Sequence, residues 1–175
     1  TSNYRFKTLG SQAARLVKRL EEARRNVLHL REPGGTPTGE RIRAILLDPD
    51  VRLGAAAETF LFMAARAQLV EEVLRPALNE RKTVVCERWI SSTIAYQGVA
   101  GGFGAENVAA VGRHAIGDLA PDLLVILDVP PEVGLARVKR GLDRMEKKGP
   151  EYHRKVREGF LATRGMFPKT AVVDA

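Results

Sequence analysis

The chain has 175 residues, 45% hydrophobic and 28% charged, which suits one soluble domain and excludes a disordered or fibrous polypeptide. Its formal net charge is +7 with 20 Arg and 8 Lys; such an arginine excess fits forked recognition of phosphate, and single scattered arginines with 6% aromatics argue against a nucleic-acid partner. The lone Cys86 excludes an internal disulfide and points to a cytoplasmic protein, while stretch 119–131, interrupted by Asp122 and Asp128, falls short of the ~20 apolar residues of a membrane span.

In chain order, Ala13, Leu16, Val17 and Leu20 recur at helical spacing, and Asn26-Val27-Leu28-His29-Leu30 has the pattern of a short buried strand ending in a loop at 31–35. A helix is predicted over 40–47 and a long one over 56–81, with Pro76 as a kink or local break. A strand at 83–86, a helical stretch at 92–97, a Gly-rich turn at 98–104 and a helix at 105–117 follow. The continuous apolar run 123–127 predicts a central parallel strand, since a face meeting water would show alternation. A helix at 131–140, a charged segment at 141–149, a helix at 151–163 and a strand at 171–173 complete the series. Strands alternating with helices predict an α/β sheet with crossover connections and ligands at the carboxyl ends of its strands.

Three such ends carry polar groups: Arg31-Glu32, Glu87-Arg88 and Asp128. In one crevice the arginines could clamp phosphates and the carboxylates could hold Mg²⁺; the plainer alternative is a set of surface ion pairs. On the long helix, Phe62 and Arg66 are four residues apart and share a face. A ring for stacking then stands beside a fork able to donate to a base, or else Phe62 is core and Arg66 an ion-paired residue. The three histidines, His29, His114 and His153, share no spacing, so neither a histidine metal cluster nor a histidine catalyst is expected. Cys86 is expected to be a small core residue.

Seven segments occur together in order: Arg31-Glu32-Pro33-Gly34-Gly35-Thr36, Gly39-Glu40-Arg41-Ile42-Arg43 with Leu46-Leu47-Asp48, Phe62-Met63-Ala64-Ala65-Arg66-Ala67-Gln68, Glu87-Arg88-Trp89, Ala95-Tyr96-Gln97-Gly98, Pro121-Asp122-Leu123 and Asp143-Arg144-Met145-Glu146. In order and spacing this series resembles the thymidylate kinase family over about residues 12–175. The resemblance implies a P-loop-type, doubly wound parallel sheet in a single kinase domain, and Mg²⁺-dependent phosphoryl transfer from ATP to dTMP. Carried onto this chain, it makes Phe62 the thymine-stacking ring, Arg66 the donor to the base edge and Thr93 a second partner of the base, with Tyr96 against the deoxyribose and Gln97 nearby. Arg43 and Arg88 would hold the dTMP phosphate. Ser11, Glu32 and Glu87 would sit at the metal, and Gly10 and Ser11 at ATP. Arg140 and Arg144 belong to a segment, about 140–150, resembling a lid over ATP. A homodimer is implied as well.

The chain also departs from that family. The phosphate-cradling pattern G-x-x-x-x-G-K-[ST] is absent: Phe6-Lys7-Thr8-Leu9 resembles the start of a first strand and Gly10-Ser11-Gln12 the residues after the loop lysine, so about a dozen residues are missing after Leu9. Taking Lys7-Thr8 as the loop's own Lys-Thr fits less well, because counting back from Arg31 leaves Lys7 two places early. Either a segment has been left out, or the chain is a nucleotide-binding homologue without catalysis; omission is preferred, since a true deletion would join strand to helix with no turn. A related nucleoside or nucleotide kinase is the alternative within enzymes. The family's last helix is not found before Ala175, and Glu87 and Trp89 stand where Asp and Tyr are usual.

Overall fold

A computed structural model describes residues 9–137 and 144–175. Its strands are short and pair only in parallel: β1 (Val27–Arg31) with β2 (Thr83–Glu87), aligned from Val27↔Thr83 to Arg31↔Glu87, and β3 (Leu124–Asp128) with β4 (Thr170–Asp174), aligned from Leu124↔Thr170 to Asp128↔Asp174. Parallel neighbours need long crossovers, and the helical runs between them supply these. Among the described residues the sheet is therefore two parallel pairs, not one continuous sheet. Helix α1 (Leu9–Glu22) packs on β1 and β2.

The crossover from β1 to β2 opens with α2 (Pro37–Leu47), whose start is written in the sequence. Thr36 caps it by accepting the Gly39 N–H at 2.9 Å, and Pro37 occupies a first-turn position that needs no donor. The predicted helix at 56–81 is α3 (Ala55–Leu69), a wide π turn at Val70–Leu74 and α4 (Arg75–Asn79). The expected break is thus a wide turn in helical chain: the Arg75 N–H reaches back five residues to the Val70 carbonyl. Pro76 has no N–H and its ring crowds the preceding turn, which the extra residue relieves.

After β2, α5 (Ile90–Thr93) also widens into a π turn, Ile94–Ala100, so the loop expected from Gly98 starts only at Gly101. The turn is pressed by α8 (Pro150–Ala162); a Cβ on Gly159 would lie 2.8 Å from the Ala95 Cα. Helix α6 (Ala105–Ile116) completes this layer. Met63, Ile90, Ile94 and Val108 form one core cluster, and Leu69, Val70 and Leu74 another beneath Leu30 and Val84. Truncating a fully buried leucine such as Leu69 to Ala costs about 2–5 kcal/mol in such surroundings. Helix α3 is consequently clamped between the first strand pair and α6.

The second strand pair departs from expectation. Val125 in β3 is 43% exposed while its neighbour Ile126 is buried, so among the described residues only one face of β3 is covered, from the side of α8. Helix α7 (Pro131–Ala136) accounts for the start of the predicted 131–140 helix; residues 138–140 lie outside the described residues. No described helix is long and apolar enough to cross a membrane.

Candidate active site

Because β1 and β2 run in register, Arg31 lies beside Glu87, and the Glu32 N–H extends the ladder to the Glu87 carbonyl at 2.9 Å. Two of the three predicted strand ends therefore adjoin. Asp128, on the other strand pair, accepts from Arg157 Nε at 2.6 Å and from a terminal nitrogen at 2.8 Å. That hydrogen-bonded fork holds the Asp128 carboxyl below its usual range. For Asp128 the ion-pair alternative describes what the structure contains.

Glu32 turns inward and meets Arg66 from α3. Arg66 is 2% exposed; its Nε lies 2.8 and 3.1 Å from the two Glu32 oxygens and one terminal nitrogen lies 2.5 Å from Glu32 Oε2. The other terminal nitrogen donates to Thr93 Oγ1 at 3.1 Å and faces Met63 Sδ at 3.2 Å. The guanidinium carbon stands 5.6 Å from the Trp89 ring centroid, within cation–π range. A buried charge needs such a partner. Burial pushes the Glu32 carboxyl upward, with the Arg66 charge opposing it. The alternatives for Arg66 thus merge: it is ion-paired, and it still shares a face with half-buried Phe62. Arg66 and Thr93, both predicted at the base, are in contact.

The other predicted residues are distributed around this core. Arg88 is exposed, its guanidinium carbon 5.3 Å from the Tyr96 ring centroid, and its backbone is left-handed at φ 71°, a conformation that costs a non-glycine residue energy and clusters at functional sites. Arg43, on α2, donates to the Pro33 carbonyl at 2.8 Å. Gln97 is buried and donates to Glu58 Oε1 at 2.7 Å. A Cβ on Gly10 would lie 3.3 Å from Glu87 Oε2, so the start of α1, with Ser11, adjoins the Glu87 carboxylate. The other Glu87 oxygen lies 2.8 Å from His29 Nε2. Mg²⁺ uses one or two carboxylates and completes its shell with substrate phosphates and water; the Glu87 carboxylate fits that pattern, with Ser11 one residue from Gly10. Glu32 does not, because Arg66 occupies both of its oxygens. No group of three His, Cys, Asp or Glu side chains among the described residues is arranged to hold a metal.

Of the two arginines expected in the lid, Arg140 lies outside the described residues. Arg144 does not stand free: its Nε donates to the Leu46 carbonyl at 2.9 Å and a terminal nitrogen lies 2.5 Å from Glu58 Oε2. Lys148 Nζ is 3.8 Å from Glu58 and 4.4 Å from the Tyr152 ring centroid, and the Tyr152 hydroxyl donates to the Tyr96 carbonyl at 2.9 Å. Burial lowers the Lys148 pKa and raises that of Tyr152. Sequence reasoning missed Glu58, Lys148 and Tyr152. Glu58 had a signal: it is the one acid in α3 and lies four residues before Phe62, on the same face. Cys86 is half-buried, and burial pushes its thiol up, away from the reactive thiolate.

The family model described as thymidylate kinase matches residues 7–175. The thymidylate kinase of Chlamydia trachomatis serovar D is 45% identical over 165 residues, covering 91% of this chain and 81% of that one. The thymidylate kinase of Deinococcus radiodurans is 46% identical over 153 residues, covering 86% and 74%. In three dimensions the chain is similar to the crystal structure of thymidylate kinase from Ehrlichia chaffeensis, with a TM-score of 0.77 and 28% identity over 95% of this chain and 80% of that one.

Proposed function

The chain belongs to the thymidylate kinase family, and from that premise we propose that its arginine-bearing ends hold opposite ends of one substrate while the γ-phosphate of ATP passes to dTMP, giving dTDP and ADP. The chain is a phosphotransferase of the P-loop α/β class. The observation that carries the reading of the site is the contrast between two arginines beside the β1–β2 strand ends: Arg66 is buried, neutralised and hydrogen-bonded to Thr93, whereas Arg88 is exposed two residues before the start of α5.

In this reading Phe62 stacks on thymine, Arg66 and Thr93 address the base edge, and Tyr96 and Gln97 border the deoxyribose. Arg43 and Arg88 neutralise the acceptor phosphate and aim it in line, which is most of what phosphoryl transfer asks of a protein. Gly10, Ser11 and Arg144, with Arg140, serve the ATP side. Glu87 and Ser11 would hold Mg²⁺, which when bound supplies neutralisation of the phosphate charge. Residues 1–175 act as one kinase domain with a lid segment at about 140–150. The reading also takes the protein as a cytoplasmic homodimer, in which an apolar side chain such as Phe60, 52% exposed, is what a second copy would cover.

The test is ADP release by the purified chain with Mg²⁺-ATP and each nucleoside monophosphate in turn, with ³¹P NMR to identify the product. Formation of dTDP from dTMP is expected. Turnover of another monophosphate in its place would favour a sibling kinase, and nucleotide binding without any turnover would favour a binding homologue.

A further inference from the structure

The segment that leaves β1 holds two predicted site arginines at once. At consecutive residues, the Glu32 side chain engages Arg66 and the Pro33 carbonyl accepts from Arg43. Arginine has five N–H donors in a rigid fork, so which edge points at a ligand depends on what occupies the other. Here Glu32 takes Nε and one terminal nitrogen, leaving the remaining nitrogen directed to Thr93 and Met63, with Trp89 alongside the guanidinium. Glu32 also compensates the Arg66 charge, so Arg66 offers a fixed, nearly neutral donor array, whereas Arg88 is exposed. Without Glu32, Arg66 would be a buried cation with no counter-charge, free to turn between partners.

We propose that Glu32 is the positioning residue for base choice: it grips one edge of Arg66, turns the other toward Thr93 and the base, and touches no substrate itself. The inference rests on the reading of Arg66 as a base donor. A donor array held in one orientation favours a base with a carbonyl at its 4-position over one with an amino group there, because a donor facing a donor leaves both unpaired. A loosened array loses that preference before it loses chemistry.

The test is competition kinetics between dTMP and dCMP with wild type, Glu32→Gln, Glu32→Asp and Arg66→Ala, together with a magnesium titration. Glu32→Gln is expected to reduce the kcat/KM preference for dTMP about tenfold, through KM for dTMP, with KM for ATP and the magnesium requirement unchanged. Glu32→Asp keeps the charge but withdraws it, and should reduce the preference by about threefold; it carries the test if circular dichroism shows that Glu32→Gln does not fold. Equal losses for both substrates, or a raised magnesium requirement with the preference intact, would overturn the proposal. If Arg66→Ala erodes the preference and the Glu32 variants do not, positioning fails and base reading stands. If Arg66→Ala keeps the full preference, base reading itself fails.

Discussion

Arg66 and Arg88, both predicted at the dTMP site, obey opposite rules. Arg66 lies in the core, where a lone charge is intolerable, and it is fixed by a carboxylate, a hydroxyl, a sulfur and an indole ring. Arg88 is open to water, and what is unusual there is its backbone, held left-handed at the end of β2. A buried arginine can act only through the direction in which it is held; an exposed one can act through its charge. The lesson is that one residue type can serve discrimination at one end of a substrate and attraction at the other, according to burial.

The largest break in that contrast comes from removing Arg66. Arg66→Ala leaves Glu32 buried without a counter-charge, a loss of about 3–5 kcal/mol, or about 10 °C in Tm for a chain of this size. The loss depends on pH. Burial already raises the folded-state carboxyl of Glu32 above its usual value, and without Arg66 to oppose it the rise is larger. A group whose folded pKa lies above its unfolded value contributes stability below the unfolded value and loses it as pH rises through the folded one. Thermal melts of Arg66→Ala should therefore lie closer to wild type at pH 5 than at pH 8, and adding Glu32→Gln should abolish the difference between the two. An Arg66→Ala deficit that is the same at both pH values would mean that Glu32 is not the group left stranded.

The Glu32–Arg66 pair marks where sequence reading stops. Strand and helix order were legible because continuous apolar runs and helical periodicity are local, and the Phe62–Arg66 face followed from a spacing of four. Glu32 and Arg66 are 34 residues apart, and nothing in either segment says that their side chains meet; Glu32 accordingly looked like a metal ligand. The π turns were invisible for a different reason: the apolar pattern runs on through Val70–Leu74 and Ile94–Ala100, and only the crowding at Pro76 and the close approach of Gly159 show why the chain widens. The exposure of Val125 depends on what covers β3, which its own run of Leu, Val and Ile does not encode. The partners of Arg144 were equally illegible, since Leu46 lies 98 residues before it and Glu58 lies on α3.

The other half of the contrast is sharpened at Arg88. Replacing it by Ala should leave the fold nearly intact and cut dTMP turnover about 10- to 150-fold, the worth of one charge-assisted hydrogen bond to the acceptor phosphate. Arg88→Gly should lose the same activity yet melt higher than Arg88→Ala, because glycine adopts the left-handed backbone without the penalty of roughly 1–2 kcal/mol that a Cβ incurs there. Turnover within twofold of wild type in either variant would remove Arg88 from the site. Equal melting of the two would show that the left-handed backbone carries no strain.

The smallest effect is expected at Asp128, the strand end on the other strand pair. Asp128 and Arg157 form a two-bonded fork, but both side chains reach water, and screened surface pairs contribute little to stability. Arg157→Ala should lower Tm by only about 1 °C at neutral pH, and by less in high salt, where exposed charges are screened. Asp128 is held below its usual carboxyl range, so whatever the pair contributes is present above the unfolded value near 3.9 and is lost as pH falls through the lower folded value; the two proteins should then melt together in strong acid. Activity decides what the pair is for. If it is only an ion pair, Arg157→Ala and Asp128→Asn should both turn over dTMP like wild type. A severe loss in Asp128→Asn alone would return the third strand end to the site.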